Sequence, residues 1–187
     1  MAISFCLFIC LIFGCSTQTR IKKDEPIEMV IILYENNQRD FLRDFILYQN
    51  KNFDAEIINE EYYIVIKNVD MEILQGILLF LNLRLDIIAN NIANAYTTRT
   101  YEGEPFTRKY LKISIENGVE IMQDTKTPFR YIFDPSHQDA IIGGALDGFV
   151  IIPNVDIQSE KLDLATTAGL YSSILEFTQN NSKNIIW

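Results

Sequence analysis

The sequence has almost no cysteine or histidine. Its three cysteines, Cys6, Cys10 and Cys15, lie in the first fifteen residues, and the rest of the chain contains none. This excludes a disulfide framework, a cysteine-based zinc site and a thiol nucleophile from the body of the chain. The single histidine, His137 in "DPSHQD", has no second histidine to complete a zinc site, so we predict that it is solvated or makes a turn contact. We therefore predict no metal and no cofactor.

The sequence also lacks basic clusters and catalytic motifs. It carries 16 Lys and Arg against 25 Asp and Glu, a net charge of -9. Such a chain does not bind nucleic acid through its phosphates, because that affinity needs clustered cations. No phosphate-binding glycine loop, nucleotide fingerprint or G-x-S-x-G sequence is present, so we predict no enzyme activity. The length of 187 residues and 48% hydrophobic content fit one ordinary domain with a small appendage.

The first fifteen residues resemble a secretory leader. Residues 1–14 are mostly apolar, and the chain turns polar directly after Cys15. The run is too short for a bilayer, which needs about 20 residues, but it suits the apolar part of a signal peptide. The segment "IFGC" resembles a bacterial lipoprotein cleavage box, in which a small residue precedes the acylated cysteine. We predict lipidation of Cys15, with an uncleaved anchor or a misassigned start as alternatives.

The next segments predict a tether and a small module. Residues 16–26, "STQTRIKKDEP", are polar and end in proline, which is typical of a linker. Residues 27–68 contain a strand pattern, an amphipathic helical pattern and one or two further strand patterns. We predict a small strand-helix-strand module whose role the sequence does not indicate.

A long apolar helix is predicted over residues 70–95. Its apolar residues recur at alternating steps of four and three, which is a heptad pattern that favours packing against another helix. Ile73, Ile77, Phe80 and Ile87 widen the apolar face enough for more than one partner helix. The predicted seam consists of Leu74, Leu78, Leu81, Leu85, Ile88, Ile92 and Ala95.

The remainder of the chain predicts short strands followed by a second helix. Residues 104–153 contain four strand patterns separated by Gly and Pro turns. A helix is predicted over residues 156–180, with Asn154 or Asp156 as its N-cap. The class is therefore α+β, with terminal helices packed in a coiled-coil-like manner around a β-rich insert. The second helix carries a weaker seam at Ile157, Leu164, Ala168, Tyr171 and Leu175.

Three blocks of sequence resemble a known family. The stretch "LRLDIIANNIANAYTTRTYEGEPFTRK", residues 83–109, is similar to the N-terminal signature of bacterial flagellar rod proteins of the FlgC type. The blocks "PFRYIFDPSHQDA", residues 128–140, and "GFVIIPNVDI", residues 148–157, resemble later parts of the same family in the same order. The resemblance covers residues 70–178 and implies a rod-like domain over residues 69–187.

The resemblance implies a structural subunit of the proximal rod that transmits torque for motility. Its partners would be further copies of itself and other basal-body proteins, in the periplasmic part of the flagellum. The lipoprotein-like leader and the segment before residue 69 depart from the family, as does "TTAGLYSSILEFTQNN" in the second helix. These departures leave a second hypothesis open, an envelope lipoprotein that uses the rod fold as an interaction module. In either case, membrane attachment would be through Cys15 alone.

The candidate assembly residues have two interpretations each. The amides of Asn90, Asn91 and Asn94 either fix the register between neighbouring helices or end one helix by bonding its last carbonyls. The turn with Thr98 and Arg99 is either an intersubunit contact, with Arg99 and Arg108 pairing to acidic neighbours, or an ordinary folded turn. The full set of predicted assembly residues is Leu74, Leu78, Leu81, Leu85, Ile88, Asn90, Asn91, Ile92, Asn94, Thr98, Arg99, Asn154 and Asp156.

Overall fold

The computed structural model describes ten regular elements joined by turns. It describes residues 15–20, 28–33, 43–46, 48, 57–59, 63–66, 71–114 and 117–181, and for the first four strands it describes the backbone alone. The predicted leader, apart from Cys15, lies outside these residues. The elements are β1 (Cys15–Arg20), β2 (Glu28–Leu33), β3 (Ile57–Asn59), β4 (Tyr63–Ile66), α1 (Met71–Ala93), β5 (Lys109–Ser114), β6 (Gly118–Gln123), β7 (Phe129–Phe133), β8 (Phe149–Pro153) and α2 (Ile157–Asn181).

The first four strands form one antiparallel sheet in the order β1-β2-β4-β3. Its first strand corrects the expected tether, because Cys15–Arg20 pairs with Glu28–Leu33 along its whole length. Thr17 and Thr19 are β-branched and favour strands, a preference that the polar character of the segment concealed. Residues 43–46 are helical, and Phe45 and Ile46 are buried.

The buried line of α1 is offset from the predicted seam. Leu74, Leu81, Ile88 and Ala95 are buried as expected, whereas Leu78, Leu85 and Ile92 are only half-buried. The alternate inward positions are taken by Ile77, Arg84 and Asn91. Two of these inward residues are polar, and the apolar pattern of the sequence did not reveal them.

The same offset occurs on α2. The residues of its predicted seam are all half-buried, whereas Thr167, Leu170, Ile174 and Phe177 are buried. These four continue a line that begins at Glu160 and Asp163 and advances by alternating steps of three and four. Polar residues therefore occupy the N-terminal end of the inward line of α2. Asp156 caps this helix, because its carboxylate accepts hydrogen bonds from the N–H groups of Gln158 (3.0 Å) and Ser159 (3.3 Å).

Two antiparallel hairpins connect the helices. The first pairs β5 with β6, and the second pairs β7 with β8. Val150 and Ile152 of β8 are buried, so one face of the second hairpin contributes to the core. Gly148 precedes β8 with a φ of +80°, and a Cβ there would lie 2.7 Å from the ring of Phe133. Glycine at this position lets the Phe133 ring lie directly over the backbone.

The contacts divide the chain into two units. One comprises Met1–Leu78 and Ala168–Trp187, the other comprises Leu79–Thr167, and each long helix contributes residues to both. The mixture of helices and small antiparallel sheets confirms the α+β class. No helix in the described part of the chain is long and apolar enough to cross a membrane.

The difference between buried and exposed leucines on α1 gives a first prediction. Leu81 is fully buried, whereas Leu79, two residues away, is 73% exposed. Leu81→Ala should lower the free energy of unfolding by about 2–5 kcal/mol, because it removes buried methyl groups and leaves a cavity. Leu79→Ala should change it by less than about 0.5 kcal/mol. Urea denaturation of both variants measures the difference, and equal losses would contradict the assigned inward face.

Candidate functional site

Five polar side chains join the two long helices to the start of β5. They all belong to the unit Leu79–Thr167, and they form what we term the polar junction: Arg84, Asn91, Arg108, Glu160 and Asp163. Asn91 contacts Glu160, while Arg84, earlier on α1, contacts Asp163, later on α2. The two helices therefore run antiparallel within this unit.

Asn91 is the central member of the polar junction. Only 1% of its surface is exposed. Its Nδ2 donates to the carbonyl oxygen of Lys109 (2.8 Å), and its Oδ1 accepts from the N–H of Lys109 (2.9 Å). The amide thus pairs with both main-chain groups of Lys109, as a neighbouring strand would. Nδ2 also lies 3.2 Å from Oε2 of Glu160, so the side chain bonds three groups within the chain.

Glu160 is a buried carboxylate that is fully compensated. It is 2% exposed, and its Oε1 lies 2.6 Å from both Nε and Nη2 of Arg108. Its other oxygen accepts the hydrogen bond from Asn91. Burial of a charge is costly unless it is paired and hydrogen-bonded, and both conditions are met here. Glu160 also lies in the first turn of α2, where the helix dipole favours negative charge.

Arg84 balances the remaining acid. Its Nη2 lies 3.5 Å from Oδ2 of Asp163, and both side chains are mostly buried. Desolvation by burial lowers the pKa of Arg84 from its ordinary value, while the carboxylates of Asp163 and Glu160 oppose that shift. The polar junction therefore contains two cations, two anions and one amide. It is a neutral structural connector between the helices.

The three asparagines of α1 have different environments. Asn94 ends the helix, because its Nδ2 donates to the carbonyl oxygen of Asn90 (2.9 Å) and its Oδ1 accepts from Thr97 (3.1 Å). Asn91 points inward as described above. Asn90 is exposed. The helix-ending interpretation thus holds for Asn94, and an interhelical amide is found at Asn91, although the two helices belong to the same chain.

The turn after α1 is tied to the loop that contains His137. Oγ1 of Thr98 donates to Oδ2 of Asp139 (2.8 Å), and Nη2 of Arg99 lies 2.6 Å from Oδ1 of the same carboxylate. Nδ1 of His137 accepts from the N–H of Asp139 (3.0 Å), which is a turn contact. Arg99 and Arg108 both pair with carboxylates of their own chain, so the geometry matches the folded-turn interpretation. No group of three His, Cys, Asp or Glu residues in the described regions is arranged to hold a metal ion.

The two candidate caps of α2 are distinguished by their contacts. Asp156 is the cap. Asn154 instead donates from Nδ2 to the carbonyl oxygen of Thr127 (3.0 Å), and its N–H donates to that of Pro128 (2.9 Å). Asn154 therefore joins the end of β8 to the turn before β7.

Glu160, Asp163 and Arg84 were not identified as site residues from the sequence. A search for heptad spacing that includes polar residues would have found them, because Arg84 and Asn91 are seven positions apart on the inward line. Glu160 likewise begins the inward line of α2. Their opposite charges would then have suggested that the two lines face each other.

Asn91 and Asn90 form a matched pair for mutagenesis. Asn91→Ala leaves the part-buried N–H and carbonyl of Lys109 and the buried carboxylate of Glu160 without this partner, which should cost about 2–4 kcal/mol of unfolding free energy. Asn90→Ala, at an exposed neighbouring position, should change it by less than about 0.5 kcal/mol. Urea denaturation followed by circular dichroism measures both. A similar loss for both variants would show that the cost arises from the helix end and not from the polar junction.

For the Arg108–Glu160 pair we predict that a second substitution restores part of the stability lost by the first. Arg108→Leu leaves the Glu160 carboxylate buried without its cation, which should cost about 3 kcal/mol. Adding Glu160→Gln removes the uncompensated charge and keeps an oxygen for Asn91, so the double variant should be more stable than Arg108→Leu alone. A double variant that is less stable than Arg108→Leu would contradict this account.

Comparison with known proteins identifies the family. No protein-family model matches the chain. The flagellar basal-body rod protein FlgC of Borreliella burgdorferi (strain B31) is 32% identical over 113 residues, which cover 49% of this chain and 74% of that protein. FlgC of Yersinia enterocolitica is 27% identical, covering 55% and 80%, and FlgC of Bacillus subtilis (strain 168) is 28% identical, covering 48% and 74%. The chain therefore belongs to the FlgC family of flagellar basal-body rod proteins.

Proposed function

We propose that this chain is a structural subunit of the flagellar basal-body rod. The observation that carries the proposal is the similarity to FlgC proteins, which extends over about three quarters of each relative. The sequence blocks that resemble the family include the second half of α1, the turn after it and the start of α2. These blocks contain Arg84, Asn91 and Arg108 of the polar junction, whereas Glu160 and Asp163 follow the last block.

The flank of α1 between its buried line and its exposed side supports assembly through helices. Leu78, Leu85 and Ile92 are half-buried and follow one another every seven residues, and we term them the outer apolar stripe. Along the 23 residues of α1 the only charged side chains are Glu72, Arg84 and Asp86, and Arg84 points inward. A helix that faces water usually carries charged residues on its outer side. We propose that helices of other rod subunits cover this surface in a coiled-coil-like manner.

The contacts within the chain refine the list of assembly residues. Leu74, Leu81 and Ile88 are buried, and Asn94, Thr98, Asn154 and Asp156 hydrogen-bond within the chain. We propose the outer apolar stripe and the exposed Asn90 as the intersubunit contacts on α1. Copies of this chain and other basal-body proteins would be the partners.

The polar junction suits a subunit that transmits mechanical force. It connects α1, α2 and the start of β5, and the hydrogen bonds that Glu160 accepts from Asn91 and Arg108 are charge-assisted and therefore stronger than neutral ones. Well-packed interiors have low compressibility and transmit strain. We propose that this rigid connection lets the subunit pass torque along the rod in the periplasm.

A second candidate is an envelope lipoprotein that binds the rod without forming part of it. It is favoured by the four-stranded sheet, which lies outside the family-like blocks, and by the fact that the relatives match only about half of this chain. In this hypothesis an acyl chain at Cys15, the first residue of β1, would hold the protein at the membrane.

A charge placed beside the outer apolar stripe tests the structural role. Ala89 is exposed and lies on the same side of α1 as Leu78 and Leu85. In cells that lack the native gene, the variant Ala89→Asp should reduce the number of assembled rods at least tenfold, because a charge would be buried at each intersubunit contact. Tenfold corresponds to a loss of about 1.4 kcal/mol of association free energy per contact. Asn117→Asp, the same change in charge in the exposed β5–β6 turn, should leave it unchanged. Rods are counted by electron microscopy of isolated basal bodies.

The outcome separates the two candidate functions. Loss of rods in the gene deletion and in Ala89→Asp supports a structural subunit. Intact rods in the deletion, with altered attachment of other components, support the lipoprotein. The intact mass of the protein from the native envelope then shows whether acyl chains are present on Cys15. Rods that are normal in number and attachment in the deletion would exclude both.

A further inference from the structure

The β7–β8 hairpin has an open edge. Within the described part of the chain, β7 pairs with β8 alone. The N–H of Asp134 donates to the carbonyl of Gly148 (2.9 Å), and the N–H of Asn154 donates to that of Pro128 (2.9 Å). Main-chain groups alternate in direction along an antiparallel pair. Those of Arg130 and Ile132 therefore point to β8, whereas those of residues 129, 131 and 133 point away from it.

The side chains along this edge are aromatic and exposed. Tyr131 and Phe133 are 51% and 63% exposed, and they share one face of the hairpin with Phe129. Phe133 packs edge-on against Phe149 at 5.3 Å. Proteins commonly protect an open edge with lysine, proline or a bulge within the strand. Here Arg130 is the only charged residue of β7, and its side chain lies on the opposite face from the aromatic residues.

We propose that β7 pairs antiparallel with β7 of a second copy of this chain, centred on Tyr131. The two hairpins then form one four-stranded sheet. This inference does not depend on the proposed function, since it rests on the hairpin alone.

The sequence of β7 is complementary to itself in this register. Tyr131 lies opposite Tyr131 of the second copy, and Phe129 lies opposite Phe133. These are the positions whose main-chain groups point outward, so each outward N–H and C=O gains a partner. The aromatic side chains meet in cross-strand pairs on one face, which are favourable pairs in sheets. Arg130 lies opposite Ile132, so no like charges face each other.

The residues flanking β7 limit the length of the paired segment and carry opposite charges at its two ends. Pro128 and Pro135 bracket the strand, and proline has no N–H to extend the ladder. Asp134 follows the strand, and Lys126 precedes Pro128. Antiparallel pairing therefore brings the acidic end of each strand close to the basic end of the other. This match favours a second copy over an unrelated apolar segment.

Charge substitutions at the centre of the register test the proposal. Sedimentation velocity of the full chain should show a concentration-dependent dimer. Tyr131→Lys and Tyr131→Glu each place two like charges opposite one another and should raise the dimer Kd at least about tenfold. An equimolar mixture of the two variants should recover the dimer, because opposite charges then meet. Tyr110→Lys, at the 40% exposed tyrosine of β5, should leave the dimer unchanged.

Amide hydrogen exchange gives a second readout on the unaltered chain. Raising the protein concentration should slow exchange at residues 129, 131 and 133, whereas residues 130 and 132 should be protected at every concentration. The proposal is overturned if the chain stays monomeric, if Tyr131→Lys leaves the dimer intact, or if mixing the two variants does not restore it. It is also overturned if exchange along β7 does not depend on concentration.

Discussion

The unit Leu79–Thr167 depends on the burial of one carboxylate. Glu160 is excluded from water, and its two oxygens are held by Arg108 and Asn91. A buried charge is tolerated only when such partners are present. Glu160 therefore fixes the position of α1, which supplies Asn91, and of the segment before β5, which supplies Arg108. Arg84 and Asp163 extend the same arrangement by about two turns of α1 and one turn of α2. The capped start of α2 places Glu160 where the helix dipole also stabilises its charge.

This arrangement explains why the chain uses polar residues on its inward helical lines. A wholly apolar line can slide by one heptad at little cost, because similar side chains then meet again. Arg84, Asn91, Glu160 and Asp163 have partners in one register only. The helices are therefore fixed relative to each other, and the outer apolar stripe keeps a defined orientation. We consider a defined orientation to be the main requirement for a subunit that packs into a rod.

Much of the fold was predictable from the sequence because it follows local rules. The two long helices follow from apolar periodicity, the strands of residues 104–153 follow from alternation between Gly and Pro turns, and Asp156 was one of two candidates for the cap of α2. Four positions of the inward line of α1 were predicted correctly, whereas its alternate positions and the line of α2 were predicted one residue away, since periodicity alone does not distinguish a buried arginine from an exposed one. The polar junction depends on partners about 70 positions apart in the chain, such as Asn91 and Glu160, and local patterns carry no information about that separation. β1 was missed because its threonines were interpreted through polarity instead of shape.

Asn91 holds the start of β5 through the peptide atoms of Lys109 and not through its side chain. Every amino acid except proline offers the same N–H and carbonyl group. Position 109 can therefore accept many different side chains without loosening the helix pair, whereas position 91 can accept very few. Substitutions are thus tolerated at position 109 of the strand and restricted at position 91 of the helix.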